Sequence, residues 1–186
     1  MPQPDRTVDT ESIDSEWKGL LRLGAVSALI MLLYSIVTIV VLTLLGMPPS
    51  TAAECFAMLQ QNRILGLLRL DILTVFVYMP FCYLLFLGIY VALRRINGGY
   101  ALLGTVLVFA GITLFLATPS VLSMMVLSDK HALSTTDAQR SQFLAAGEAI
   151  LASDMWHGTG AFVGGMLLQS GALLISGVML QGKVFG

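Results

Sequence analysis

The chain has 186 residues, 56% of them hydrophobic and 11% charged, with a mean hydropathy of +0.85 and a formal net charge of −1. A soluble domain carries about twice that share of charge, so the composition argues against a water-soluble fold. With no basic run interleaved by aromatics, it also argues against a nucleic-acid surface.

Residues 1–19 are polar and mostly acidic, with Pro2 and Pro4, and read as a disordered cytoplasmic tail. Residues 20–186 read as a single transmembrane helical domain. Within it, four uncharged apolar segments, 23–45, 72–93, 102–127 and 158–180, are each long enough to cross about 30 Å of hydrocarbon as a helix. Helix is the only local solution, since an isolated strand would leave backbone amides unpaired in lipid. The first segment is too long for a secretory h-region and reads as a retained anchor.

Met47-Pro48-Pro49-Ser50-Thr51 ends the first span, and Thr51-Ala52-Ala53-Glu54 has the spacing of a capping box. The short helix it opens would carry Ala52, Cys55, Phe56 and Leu59 on one face and lie in the headgroup region. Thr136-Asp137-Ala138-Gln139 repeats the device between the third and fourth spans, followed by Phe143, Gly147, Ile150 and Leu151 at helical spacing. The expected fold is therefore an all-α polytopic membrane bundle of about four transmembrane helices with two interfacial amphipathic helices.

Pro80 and Pro119 each remove an intrahelical hydrogen bond, freeing the carbonyls of Phe76 and Phe115 and kinking their helices. Thr118 and Ser120 stand close enough in sequence to satisfy the second. Cys55, in a polar connection, and Cys82, in an apolar run, read as free thiols, the first accessible to reagents from outside the cell and the second not.

Orientation follows from the basic residues. Arg6, Lys18, Arg22, Arg94, Arg95 and Lys183 fall on one side of four crossings, whereas Arg63, Arg69, Lys130 and Arg140 fall on the other, among six acidic residues. Both termini are expected to be cytoplasmic, in the cell (inner) membrane. The chain resembles the bacterial integral-membrane family called domain of unknown function 4386. The resemblance rests on Leu70-Asp71-Ile72-Leu73, on Leu87-Gly88-Ile89-Tyr90-Val91-Ala92-Leu93-Arg94-Arg95 and on Leu174-Ile175-Ser176-Gly177-Val178-Met179-Leu180. It covers the chain from about Leu20 onward, implies further spans in longer members, and brings no activity, substrate or catalytic residue.

The fourth span is rich in glycine, and Gly160/Gly164 and Ala161/Gly165 have small-xxx-small spacing. Such pairs, with Gly165 on the same helix, serve packing within one subunit or a homo-oligomeric interface. Arg69 and Asp71 at the start of the second span should share their depth with Asp154, Trp156 and His157 at the start of the fourth. Ionisable groups at a membrane boundary are usually paired, so an Arg69 to Asp154 or an Asp71 to His157 tie is expected. The functional counterpart is a polar outer-leaflet pocket for a proton, a cation or a lipid headgroup. Ser153, Asp154 and His157 have the residue types of a hydrolase but lack a nucleophile elbow. With only His131 and His157 present, neither a metal site nor a cofactor is implied. The favoured function is a non-enzymatic membrane component acting through helix–helix association in the lipid bilayer, ahead of a small transporter or channel subunit and a membrane-embedded enzyme.

Overall fold

The computed structural model describes residues 6–46, 49–118, 121–154 and 157–182, with side chains from Trp17 onward. Seven α-helices and one π-helical turn make up the described chain: α1 (Arg6–Leu45), α2 (Ala52–Gln61), α3 (Arg63–Arg69), the π turn (Thr74–Tyr78), α4 (Met79–Ala117), α5 (Val121–Ala132), α6 (Asp137–Ala152) and α7 (Thr159–Gln181). Helix α1 starts at Arg6, so helical backbone reaches back into the stretch expected to be a disordered tail. It ends at Gly46, whose positive φ of 79° and N–H to the Leu42 carbonyl (3.0 Å) form a left-handed cap.

Three stretches among the described residues are long and apolar enough to cross a membrane: Trp17–Leu45, Thr74–Ala132 and Thr159–Gln181. The middle one, at 59 residues, exceeds two crossings. It folds back on itself at Asn97, the one residue inside α4 with extended backbone (φ −151°, ψ 86°). The proof of the hairpin is a contact between its arms. Tyr83 Oη and Thr113 Oγ1, thirty residues apart, are hydrogen-bonded at 2.7 Å, and the Tyr83 and Phe109 rings meet at 4.9 Å. In a straight helix those residues would stand about 45 Å apart.

Four apolar segments thus run antiparallel in sequence: α1, the first arm of α4 (79–96), its second arm (98–117), and α7. Helix α1 packs on the first arm where Gly24 meets Gly88. A Cβ on either would stand 2.8–2.9 Å from the other's Cα, so only glycine permits the approach. Helix α7 packs on the second arm through a longer glycine seam, Gly171 against Gly104 and Gly164 against Gly111. In lipid no hydrophobic drive pulls helices together, so this closeness, with the dispersion contacts it allows, is what holds the seam. Helices α1 and α7 share no substantial contact with each other. At one end of the bundle the Arg94 guanidinium lies 4.0 Å over the Trp17 ring, and Asn97 Nδ2 donates to Gln181 Oε1 (3.4 Å). The two ends of the described chain therefore lie on one side.

The opposite end carries a second, separate core of Ala52, Cys55, Phe56, Leu59 and Met124, supported by Phe143, Leu144, Ile150 and Leu151. This cap is built from α2, α3, α5 and α6. It corrects the third expected span, which does not continue to 127. The helix stops at Ala117, Thr118 leaves helical geometry (φ −113°, ψ 51°), and Val121–Ala132 belongs to the cap. Thr118 satisfies the end as anticipated, its Oγ1 donating to the carbonyls of Leu114 and Phe115 (both 3.2 Å). Pro119 and Ser120 lie outside the described residues. Near Pro80, the carbonyl freed at Phe76 is accommodated by widening the preceding turn, where Met79 N–H bonds back to the Thr74 carbonyl.

Candidate functional site

The cap forms as its capping boxes dictate. Thr51 Oγ1 accepts from Glu54 N–H and Thr136 Oγ1 from Gln139 N–H, each at 3.3 Å. The anticipated face of α2 is buried, with Cys55 at 0% and Phe56 at 1% exposure, but against α5 and α6 rather than a headgroup layer. Glu148 of α6 closes the start of α2 by accepting from Ala52 N–H at 2.8 Å, and Ser128 Oγ donates to the Phe56 carbonyl at 3.3 Å. The exposed Arg63–Asp129 pair (3.0 Å) adds little by comparison.

Burial corrects the expectation that Cys55 is accessible. Desolvation, aided by Glu148, Glu54 and Asp154 and opposed by Arg69, pushes its thiol up to about 11. Arg69, Glu148 and Asp154 thus gather about one buried thiol, which brings together two members of the expected boundary cluster. Arg69 also reaches Gly46: its Nη2 lies 3.8 Å from where a Gly46 Cβ would be, at the C-terminal and electronegative end of α1.

His157 joins Asp154, and only Asp71 stands apart. Asp154, 6% exposed, accepts from both the backbone N–H and Nδ1 of His157 at 2.9 Å, a local turn just ahead of α7. Trp156 lies outside the described residues. The Ser153 hydroxyl donates to the Ala149 carbonyl (2.9 Å), within its own helix. Among the described residues no three His, Cys, Asp or Glu side chains come together as a metal ion would need.

Asp71 does not meet His157. It sits in the turn joining α3 to the π turn with a positive φ of 64°, the one such non-glycine among the described residues. That left-handed conformation costs on the order of 1 kcal/mol or more, and the residue faces α1, the helix that packs on α3 and the π turn, whereas α7 packs on α4. There Tyr34 Oη donates to Asp71 Oδ1 at 3.2 Å and is hydrogen-bonded to Thr74 Oγ1, while the Tyr34 and Tyr78 rings meet at 5.0 Å. Tyr34 was not among the expected site residues. Its signal was a phenolic hydroxyl in mid-span, which must find a partner in lipid.

The glycines of α7 divide by face. Gly164 is buried against the Gly111 carbonyl, and a Cβ on Gly160 would meet Thr118 Cγ2 at 2.9 Å, so both serve packing within the chain. A Cβ on Gly165 would reach only the tip of Phe115 at 3.9 Å. Gly165 borders an outward groove with Phe162, Met166, Gln169, Ser170 and Leu173. Phe162 and Leu173 are 69% and 72% exposed, and Gln169 and Ser170 are exposed at the centre of the helix. No protein-family model, curated protein or solved structure matches the chain.

Proposed function

We propose that the protein is a non-enzymatic, multi-pass component of a bacterial inner membrane that acts through helix–helix association, with a second copy of itself as partner. The observation that carries this reading is the exposed Gln169–Ser170 pair midway along α7. An amide in hydrocarbon gains about 1–2 kcal/mol by hydrogen bonding across a helix pair, and the small Gly165 beside it admits a second backbone. The openness of the bundle supports the same reading, because α1 and α7 do not close on each other. Lys18, Arg22, Arg94 and Arg95 at the Asn97 end support an orientation with both termini in the cytoplasm and the cap outside.

Gln169→Leu should weaken self-association roughly tenfold, read as the monomer fraction of fluorophore-labelled protein diluted in lipid bilayers. Gly160→Ala, on the packed face, should leave that fraction unchanged while lowering thermal stability. A dimer indifferent to Gln169 but broken by Gly160→Ala would contradict the assignment. A second reading, a small transporter or channel subunit, is favoured by the polar group of Asp71, Tyr34 and Thr74 within the bundle.

A further inference from the structure

At the Asn97 end of the bundle the cations stand where hydrocarbon gives way to headgroups. The apolar stretch 23–45 starts one residue after Arg22, and 72–93 ends one residue before Arg94. Gly24 on Gly88 and the Arg94 guanidinium over the Trp17 ring hold these two boundaries side by side, with Lys18 and Arg95 next to them in sequence. Asp5, Asp9, Glu11, Asp14 and Glu16 all precede Trp17, and the other acidic residues, Glu54 to Asp154, belong to the cap or the turn beneath it. The charge nearest the hydrocarbon at this end is therefore positive. Cations at that level attract anionic lipids, a pull that salt screens.

The face of α1 that carries Lys18 and Arg22 also suits the apolar part of such a molecule. Both side chains are exposed, and Ala25, Leu29, Leu32 and Ile36 follow at alternating steps of three and four, all exposed as well. From Ala25 to Ile36 is about 16 Å, close to one leaflet's half of roughly 30 Å of hydrocarbon. Beside this track Trp17 sits at the depth where indole rings anchor. A guanidinium stacked by its face leaves its N–H donors at the edge, where a phosphate oxygen can accept them. We propose that Trp17, Lys18, Arg22 and Arg94 form a binding site for an anionic phospholipid, whose acyl chain lies along Ala25, Leu29, Leu32 and Ile36. The site is independent of association through α7, with which α1 shares no substantial contact.

Trp17 reports on the site directly, since Trp156→Phe leaves it as the one tryptophan of the chain. The full chain with that substitution is placed in phosphatidylcholine vesicles, and Trp17 fluorescence is followed as lipid brominated near the headgroup end of its acyl chains is added. Half-quenching should need roughly fivefold less brominated phosphatidylglycerol than brominated phosphatidylcholine. Lys18→Gln with Arg22→Gln should bring the two lipids together, and so should salt at about 1 M in the unsubstituted site. Equal quenching by the two lipids at low salt would overturn the proposal, as would a preference that neither the paired substitution nor salt reduces. Quenching by neither lipid would mean that a protein surface such as a second copy covers α1 here, which overturns it too. Excess inorganic phosphate should leave the preference intact, whereas its loss would assign the cations to a soluble phosphate instead of a lipid.

Discussion

Gly171→Leu is expected to break the contact between α7 and the α4 hairpin, lowering stability in detergent by about 3 kcal/mol or more. Overfilling a packed core usually costs about 1–3 kcal/mol because side chains can turn aside. Here they cannot. A Cβ alone on Gly171 would stand 2.5 Å from the Gly104 carbonyl oxygen and 2.9 Å from the Val108 backbone nitrogen, so the two helices must separate. Separation forfeits the close backbone approach along the whole seam, including Gly164 on Gly111. Gly177→Ala is the matched control. Nothing lies within 4 Å of its Cβ position, and alanine is the better helix former by up to about 1 kcal/mol. Thermal unfolding followed by helix signal should show a large loss for the first and none for the second.

Phe56→Ala should have the largest effect in the other core, about 3–5 kcal/mol, and the loss should stay in the cap. The ring is buried among α2, α5 and α6, with the His131 ring at 5.3 Å and Gly147 leaving room for its edge. Truncation opens a cavity there and touches nothing in the α4–α7 seam. Cys55, one residue away, reports the opening. In the intact cap it is fully buried with its thiol at about 11, so alkylation near neutral pH is slow and rises only as pH climbs toward that value. In Phe56→Ala the thiol meets water and returns toward the ordinary thiol range, so its rate at neutral pH should increase about a hundredfold or more. Cys82, buried in the bundle core, should stay unreactive in both proteins. Equal acceleration at both cysteines would mean that cap and bundle unfold together.

Sequence periodicity was sufficient for the segments whose fate depends on local chemistry. Thr51 and Thr136 cap their helices because a hydroxyl three residues ahead of an N–H satisfies it wherever the helix lies. The buried face of α2 was legible for the same reason, since Ala52, Cys55, Phe56 and Leu59 share one side of any helix. What covers that face was not legible. Val121-Leu122-Ser123-Met124-Met125-Val126-Leu127 is as apolar as a span, and hydropathy cannot distinguish lipid from a second protein core, so α5 read as part of the third crossing. The boundary cluster failed in another way. Depth put Asp71 and His157 at one level, but depth does not say which helices are neighbours: α1 packs on α3 and the π turn, whereas α7 packs on α4. Tyr34 was overlooked because one polar atom barely changes the hydropathy of a long apolar run. The glycines of α7 announced a close helix contact without saying which face is spent within the chain and which is left for a partner.

The arrangement of four crossings, with the termini on one side and the cap on the other, is tested most directly by two single substitutions in intact cells. Gln142→Cys, on the exposed side of α6, and Lys18→Cys, at the Trp17 end of α1, are each treated with a membrane-impermeant maleimide, the two native cysteines being buried and silent. Gln142→Cys should label from outside and Lys18→Cys only after the membrane is permeabilised. Labelling of both from the same side would contradict the four-crossing arrangement, and labelling of Lys18→Cys alone would invert the proposed orientation.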